Sequence, residues 1–253
     1  MNSPTQPSWL RKFGLPLIFA CLGVLAGIWW QTHRTAVNPA AGLAAGDRAA
    51  IERVVHDYLL EHPEVLPKAM ENLARKQNAS QLAGIRKELE TPWPGEVLGN
   101  PQGKVTLVEF TDFACSYCRN SVADVDALIA ANPDLKVVVR QLPILSHESA
   151  DAARMGMAAA AQGRYAAFHK AMFAAGRPDA QSIQAAALAA GVDLVRAKKV
   201  TDDPLTEQAL AKNLNFARQL GLNGTPSWVI GDALLSGAVG REKLAEAIAA
   251  ARG

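Results

Sequence analysis

Two cysteines three positions apart close the segment Thr111-Asp-Phe-Ala-Cys115-Ser-Tyr-Cys118. The run before it, Lys104-Val-Thr-Leu-Val-Glu-Phe110, is β-rich and nearly continuously apolar, as a buried central strand would be. Placed at the start of a helix, the two residues lie one turn apart, so their sulfurs can meet in a short-loop disulfide. The first sulfur sits over free N–H groups of the helix's first turn. Those groups and the helix dipole stabilise a thiolate, which makes it both nucleophile and good leaving group. The second, one turn deeper, is expected to be more buried and can attack a mixed disulfide to release the first. Cys115 is therefore assigned as the attacking thiol and Cys118 as the resolving thiol.

Other uses of such a pair fit less well. Covalent haem attachment needs a histidine after the second cysteine, and position 119 is arginine. A four-cysteine zinc site needs a second pair, but the chain holds 3 cysteines in all. A structural disulfide this short constrains little chain. Copper(I) suits two soft thiolates, so a copper(I)-handling or non-catalytic thiol-binding envelope protein stays as the rival reading, although no methionine or histidine lies within the motif. No organic cofactor and no metal is expected.

A second signal is Gly224-Thr225-Pro226-Ser227, directly before Trp228-Val-Ile230. Proline beginning a centrally paired strand is awkward, because it has no donor for the ladder. A lone Thr–Pro bond is ordinarily trans; a cis bond would resolve the conflict and turn the Thr225 backbone outwards. Glu109, a carboxylate within the apolar strand, reads either as a proton acceptor for Cys118 or as an end-of-strand residue reaching water. His169 reads as a packing or surface histidine, His147 as a loop or cap residue, and Asp112 and Phe113 as groups that shape the site.

The elements around these residues follow from periodicity. The 253-residue chain is 49% hydrophobic and 20% charged, enough for a sizeable core and against wholesale disorder. Its net charge of +2 is too balanced for a nucleic-acid binder working through a basic surface. Residues 1–12 are expected to stay in the cytoplasm. Residues 13–30, FGLPLIFACLGVLAGIWW, carry no charge and would span roughly 27 Å as a helix, close to the thickness of a bilayer's hydrocarbon core. Arg11 and Lys12 precede them and Trp29 and Trp30 close them, which favours an inner-membrane anchor. The alternatives are a cleaved signal peptide ending near Ala26 and a lipid-modified Cys21. All three export the remainder of the chain.

Residues 31–46 read as a linker. Asp47 is a plausible N-cap for a helical arm over 47–92. One apolar stripe there runs through Ile51, Val54, Val55, Tyr58 and Leu59. A second runs through Leu66, Met70 and Leu73 and on to Leu82, Ile85 and Leu89. Such a stripe on a polar arm can pair with copies of itself, so the arm is a possible oligomerisation element. Thr91-Pro92-Trp93-Pro94 ends it.

Beyond residue 93 the expected order is strand Lys104–Phe110, helix Ser121–Ala131, strand Leu135–Gln141, then a helical block. That block spans about 149–220, with breaks at Gly176-Arg-Pro178, Gly191 and Asp203-Pro204. Strands Ser227–Ile230 and Ala233–Leu235 come next, joined by a Gly231-Asp232 turn, and helix Arg241–Ala251 closes the chain. The first crossover is parallel and the last hairpin antiparallel, so a mixed α/β sheet with helices on its faces is expected.

Val108-Glu-Phe-Thr-Asp-Phe-Ala-Cys-Ser-Tyr-Cys118, Gly99-Asn-Pro-Gln-Gly103, Gln141-Leu-Pro-Ile-Leu145 and Gly224-Thr-Pro-Ser-Trp-Val-Ile-Gly231 together resemble the DsbA-like thioredoxin-fold disulfide oxidoreductases. The resemblance covers roughly 96–253 and implies a thioredoxin fold with an inserted helical domain, about 146–220 of a domain spanning 93–253. It implies that Cys115 is the nucleophile, Cys118 its partner and Pro226 a cis-proline facing them. The arm from Ile51 to Leu66 is similar to the N-terminal helix of the subgroup holding the Com1 and suppressor-of-copper-sensitivity C proteins, some of which oligomerise there and act as isomerases. Ser116-Tyr117 departs from the Pro-His of the strong oxidase and is nearer the Gly-Tyr or Pro-Tyr of isomerase-type members. Tyr117 brings no positive charge to the thiolate, so a less oxidising potential is expected. The Thr225 hydroxyl could stabilise that thiolate or bind substrate backbone.

The reading is a periplasmic thiol-disulfide oxidoreductase, isomerase or oxidase, with unfolded or misoxidised client proteins and a membrane redox partner. No nucleic acid is expected.

Overall fold

The computed structural model describes residues 45–252. The expected membrane segment 13–30, Cys21 and most of the linker lie outside the described residues. Among those described, no helix is long and apolar enough to cross a membrane. The chain divides into two units at Pro67 and Lys68.

Of the first unit the structure describes helix α1 (Ala45–Glu61), a turn at His62-Pro63-Glu64, and the start of helix α2 (Val65–Ala83). Asp47 lies in the first turn of α1 instead of capping it. Ile51, Val54, Val55 and Tyr58 are all exposed, as is Leu60, while Leu59 is half-buried.

The second unit begins within α2. Met70 and Leu73 are exposed whereas Leu82 is fully buried, so the expected second stripe changes role along its length. A break after Ala83 then leads to a single turn, α3 (Arg86–Leu89), which buries Leu89.

The sheet has the order β1-β3-β2-β4-β5. Its strands are β1 (Val97–Gly99), β2 (Val105–Thr111), β3 (Leu135–Gln141), β4 (Ser227–Ile230) and β5 (Ala233–Ser236). Strands β2 and β3 pair in parallel, and every other neighbouring pair is antiparallel. The mixed sheet, both central strands and the hairpin agree with the sequence reading. Gly231, at φ +52°, supplies the left-handed residue of the turn. Strand β1 was not anticipated, because three residues carry no readable alternation.

Alternation along β2 sends successive side chains to opposite faces. Leu107, with Val137, Val139, Trp228 and Ile230, faces helices α4 (Ser116–Ala131) and α10 (Gly240–Ala250) through Val125, Leu128, Leu244 and Ile248. Val108, Phe110, Val138 and Val229 face the other way, onto Leu82, Leu89, Phe216 and Leu220. On that side the buried Arg140 donates to the carbonyls of Glu88, Leu89 and Thr91 and to Asn213 Oδ1, which fixes the end of the arm to β3.

The insertion holds α5 (His147–Ala160), α6 (Tyr165–Ala175), α7 (Ala180–Ala189), α8 (Leu194–Thr201) and α9 (Pro204–Gln219). The three expected breaks occur, and a fourth at residues 161–164 turns on Gly163, at φ +70°. Side-chain caps start most of these helices: Ser146 for α5, Asp179 with Ser182 for α7, Asp193 for α8, and Asp203 ahead of Pro204 for α9. His147 is the first residue of α5, beside its cap. Small residues let these helices approach closely, with Ala152, Ala187 and Ala197 fully buried around Phe168 and Met172.

Candidate functional site

Strand β2 ends at Thr111, and Asp112-Phe113-Ala114 turns the chain into α4. The turn is closed by Cys115 N–H donating to the Asp112 carbonyl at 2.9 Å. Helix α4 begins at Ser116, five residues earlier than Ser121, because Cys115 is itself the N-cap. Its sulfur accepts from the Cys118 backbone N–H at 3.4 Å. An N–H of the first helical turn thus points at the sulfur expected to carry charge, within the favourable end of the helix dipole.

Both cysteines are free thiols. Cys115 is 5% exposed and Cys118 is fully buried, the expected order of depth. They sit in the same apolar cluster as Phe113, Phe168, Met172 and Phe173, so the insertion roofs the pair. Ser116 and Tyr117 face solvent. Arg119, next in sequence, donates to the Gly176 carbonyl and ties the first turn of α4 to the end of α6.

The Thr225–Pro226 bond is cis. It comes up against the pair from β4: the Thr225 carbonyl oxygen accepts from Cys115 Sγ at 3.2 Å. The Thr225 hydroxyl is buried without a hydrogen-bond partner. The structure therefore brings together Cys115, Cys118 and the Thr225–Pro226 turn, although Cys115 and Thr225 stand 110 residues apart in sequence.

Glu109 is 2% exposed, which overturns the alternative that it reaches water at a strand end. Burial pushes its carboxyl up to about 8, with the Thr111 hydroxyl opposing. The Cys118 thiol is also pushed up, first by burial and further by the nearby Glu109 charge. The Thr111 and Thr225 hydroxyls and the Asp112 backbone pull the other way. Thr111 lowers both groups by proximity, yet its hydroxyl meets hydrogen-bond geometry with neither. His169 is buried among Phe113, Tyr165 and Phe173, and burial lowers it to about 4.

Sequence reasoning missed a second polar cluster on the Glu109 face. Gln141, paired with Thr111 across β2 and β3, donates through Nε2 to Glu96 Oε1 at 2.8 Å and to Tyr165 Oη at 2.9 Å. Burial raises Glu96 to about 8, opposed by the Gln141 bond and the Arg140 charge. Alternation along β2 could have shown that Thr111, two residues after Glu109, shares its face, but not the Glu96–Gln141–Tyr165 hydrogen bonds themselves. Among the described residues, no group of three or more His, Cys, Asp or Glu side chains is arranged to hold a metal ion.

Residues 106–249 match the DSBA-like thioredoxin domain family, and residues 47–79 match the copper resistance protein ScsC N-terminal domain. Among solved structures, a thioredoxin-like oxidoreductase from Silicibacter pomeroyi DSS-3 is 40% identical, with TM-score 0.60, over 62% of this chain and 91% of that one. A linker-deletion mutant of Proteus mirabilis ScsC is 26% identical, with TM-score 0.64, over 84% of this chain and 98% of that one. The thiol-disulfide exchange protein α-DsbA2 of Wolbachia pipientis is 27% identical, with TM-score 0.63, over 72% and 97%. Among curated proteins the chain is 28% identical over 185 residues to the Na(+)/H(+) antiporter NhaA of Herminiimonas arsenicoxydans. That match covers 71% of this chain but spans only 30% of the relative's length.

Proposed function

The chain belongs to the DSBA-like thioredoxin domain family and is a thiol-disulfide oxidoreductase; from this premise we propose that Cys115 and Cys118 exchange disulfides with client proteins outside the cytoplasm, as an isomerase or oxidase. The observation that carries the reading is the N-cap sulfur of Cys115, held between the Cys118 N–H at 3.4 Å and the Thr225 carbonyl at 3.2 Å.

In the reducing and isomerising direction, the Cys115 thiolate attacks one sulfur of a client disulfide. A Cys115–client disulfide forms, the client S–S bond breaks, and the second client sulfur leaves as thiolate. Reshuffling occurs when that or another client thiolate attacks the mixed disulfide and returns Cys115 as thiolate. Otherwise Cys118 gives its proton to Glu109, attacks Cys115 Sγ and expels the client thiolate, leaving the Cys115–Cys118 disulfide. Oxidation is the reverse, with a membrane redox partner accepting the electrons. Ser116 and Tyr117 border the sulfur and tune it, while Thr225 and Pro226 form the wall against which the client lies.

The exposed apolar stripe of α1 supports self-association of the arm, which would set several sites around one client. The uncharged run 13–30 supports export and inner-membrane anchoring, with residues 47–92 as the arm and 93–253 as the catalytic domain. Refolding of scrambled ribonuclease, together with the reduction potential of the pair, tests the function. Rescue of scrambled enzyme that is lost in Cys115→Ser is expected. Full rescue by that variant would refute it.

The match of residues 47–79 to a copper resistance protein's domain favours a second reading, copper(I) held by the two thiolates. Tight copper(I) uptake lost in Cys115→Ser, with negligible refolding activity, would select it.

A further inference from the structure

Asp112 is buried, and its carboxylate gathers three backbone N–H groups from two separate segments. Oδ1 accepts from Ala114 at 2.8 Å, while Oδ2 accepts from Ile144 at 2.9 Å and Leu145 at 3.0 Å. Ala114 immediately precedes Cys115. Ile144 and Leu145 lie in the link between β3 and α5, which starts where Leu142 N–H donates to the Thr111 carbonyl at 2.8 Å.

The side chains so held are apolar and open to solvent, Ile144 at 43% and Leu145 at 54% exposure. A lone exposed leucine needs no explanation. Two apolar residues whose backbone is fastened by the carboxylate that also fastens the turn before the reactive sulfur do need one. Both carboxylate oxygens face donors. An amide at this position would have to turn its NH2 towards a backbone N–H, so the clamp requires a carboxylate.

We propose that Asp112 is a positioning residue that sets client preference: it fastens Ile144 and Leu145 to the turn that leads into Cys115, and these two side chains receive an apolar side chain flanking the client's reacting cysteine. The occupant follows from the shared carboxylate: the group that holds the Ile144 and Leu145 amides also holds the amide of Ala114, the residue before Cys115, so a client whose sulfur bonds to Cys115 brings its neighbouring residues to this turn. The proposal rests on the disulfide-exchange reading and names the substrate class of that same site.

The test uses oxidised peptides with leucine or serine next to the reacting cysteine, and glutathione disulfide as a reference oxidant of the reduced protein. The wild-type chain is expected to react about tenfold faster with the leucine peptide, the order expected for partial burial of one such side chain. In Asp112→Asn, and in the surface double variant I144S/L145S, that ratio is expected to fall towards one. General damage to the fold would instead lower both peptide rates together and leave the ratio standing. A wild-type ratio near one, or a ratio that survives in either variant, overturns the proposal. Should Asp112→Asn fail to fold, the double variant alone decides. Absence of any reaction between the wild-type protein and glutathione disulfide is a different result and sinks the exchange reading itself.

Discussion

The sulfur of Cys115 lies 3.2 Å from the carbonyl oxygen of Thr225, across the cis-proline turn. A thiol can donate to that oxygen and a thiolate cannot, so the two protonation states are held by different groups: the carbonyl holds the thiol and the Cys118 N–H holds the thiolate. Once Cys115 is bonded to a client it no longer donates, and the carbonyl is free to accept a backbone N–H from the client. Cys118→Ala should therefore accumulate the mixed disulfide, roughly tenfold or more above wild type, because the resolving thiol is gone while the first attack remains. Cys115→Ala should capture nothing. Non-reducing electrophoresis with an oxidised client checks both, and capture through Cys118 would reverse the assignment.

Glu109 is buried on β2 close enough for its charge to act on the Cys118 thiol, and its own carboxyl is pushed up to about 8. Only its ionised form can accept the Cys118 proton, so the resolving step should quicken as pH rises towards 8. In Glu109→Gln that step should slow by about two orders of magnitude and lose the titrating limb, the size usual for one positioned base. Stopped-flow release of a fluorescent client from the mixed disulfide reads this directly. An unchanged pH profile in the variant would remove Glu109 from the mechanism.

Much of this arrangement was legible because the signals were local. The Cys115–Cys118 spacing, the apolar run of β2 and the Gly231 turn each depend on residues close in sequence. The helix boundary at Ser121 fell five residues late, although the motif itself puts Cys115 over the first turn of a helix, where its sulfur accepts the Cys118 N–H. Glu96, Gln141 and Tyr165 stayed hidden for a different reason. Their hydrogen bonds join the segment before β1, the end of β3 and the start of α6. No spacing rule links those three segments. The division of the arm's second stripe into exposed Met70 and buried Leu82 was equally invisible, since periodicity gives a face and not what covers it.

His169 is buried against three aromatic rings, its Nε2 has no partner, and its folded value of about 4 lies below the ordinary 6.5. A depressed histidine keeps its stabilising effect above 6.5 and loses it as pH falls towards 4, because the unfolded chain binds the proton first. At about 1.4 kcal/mol for each pH unit of separation, the loss approaches about 3 kcal/mol. His169→Leu should flatten this acid limb in urea melts between pH 7 and 4. Parallel curves for wild type and variant would show that His169 is not the group responsible.

Glu96 shapes the opposite limb. Its carboxyl is held near 8 against an ordinary 4.5, by burial that outweighs the Gln141 hydrogen bond and the Arg140 charge. A raised carboxyl contributes stability that is complete below 4.5 and is lost as pH rises through 8, since the unfolded chain releases the proton earlier. Glu109 adds a second loss of the same sign, so removing one carboxyl should reduce the alkaline slope without abolishing it. Glu96→Gln keeps the size of the side chain and an oxygen for Gln141 Nε2. Its urea stability should match wild type near pH 5 and exceed it by a few kcal/mol at pH 8.5. A variant whose stability falls as steeply as wild type over that range would mean that Glu96 is already ionised in the folded protein. Arg140 would then be its working partner, and Arg140→Met, which leaves the carbonyls of Glu88, Leu89 and Thr91 without that donor, should cost more at pH 8 than at pH 5.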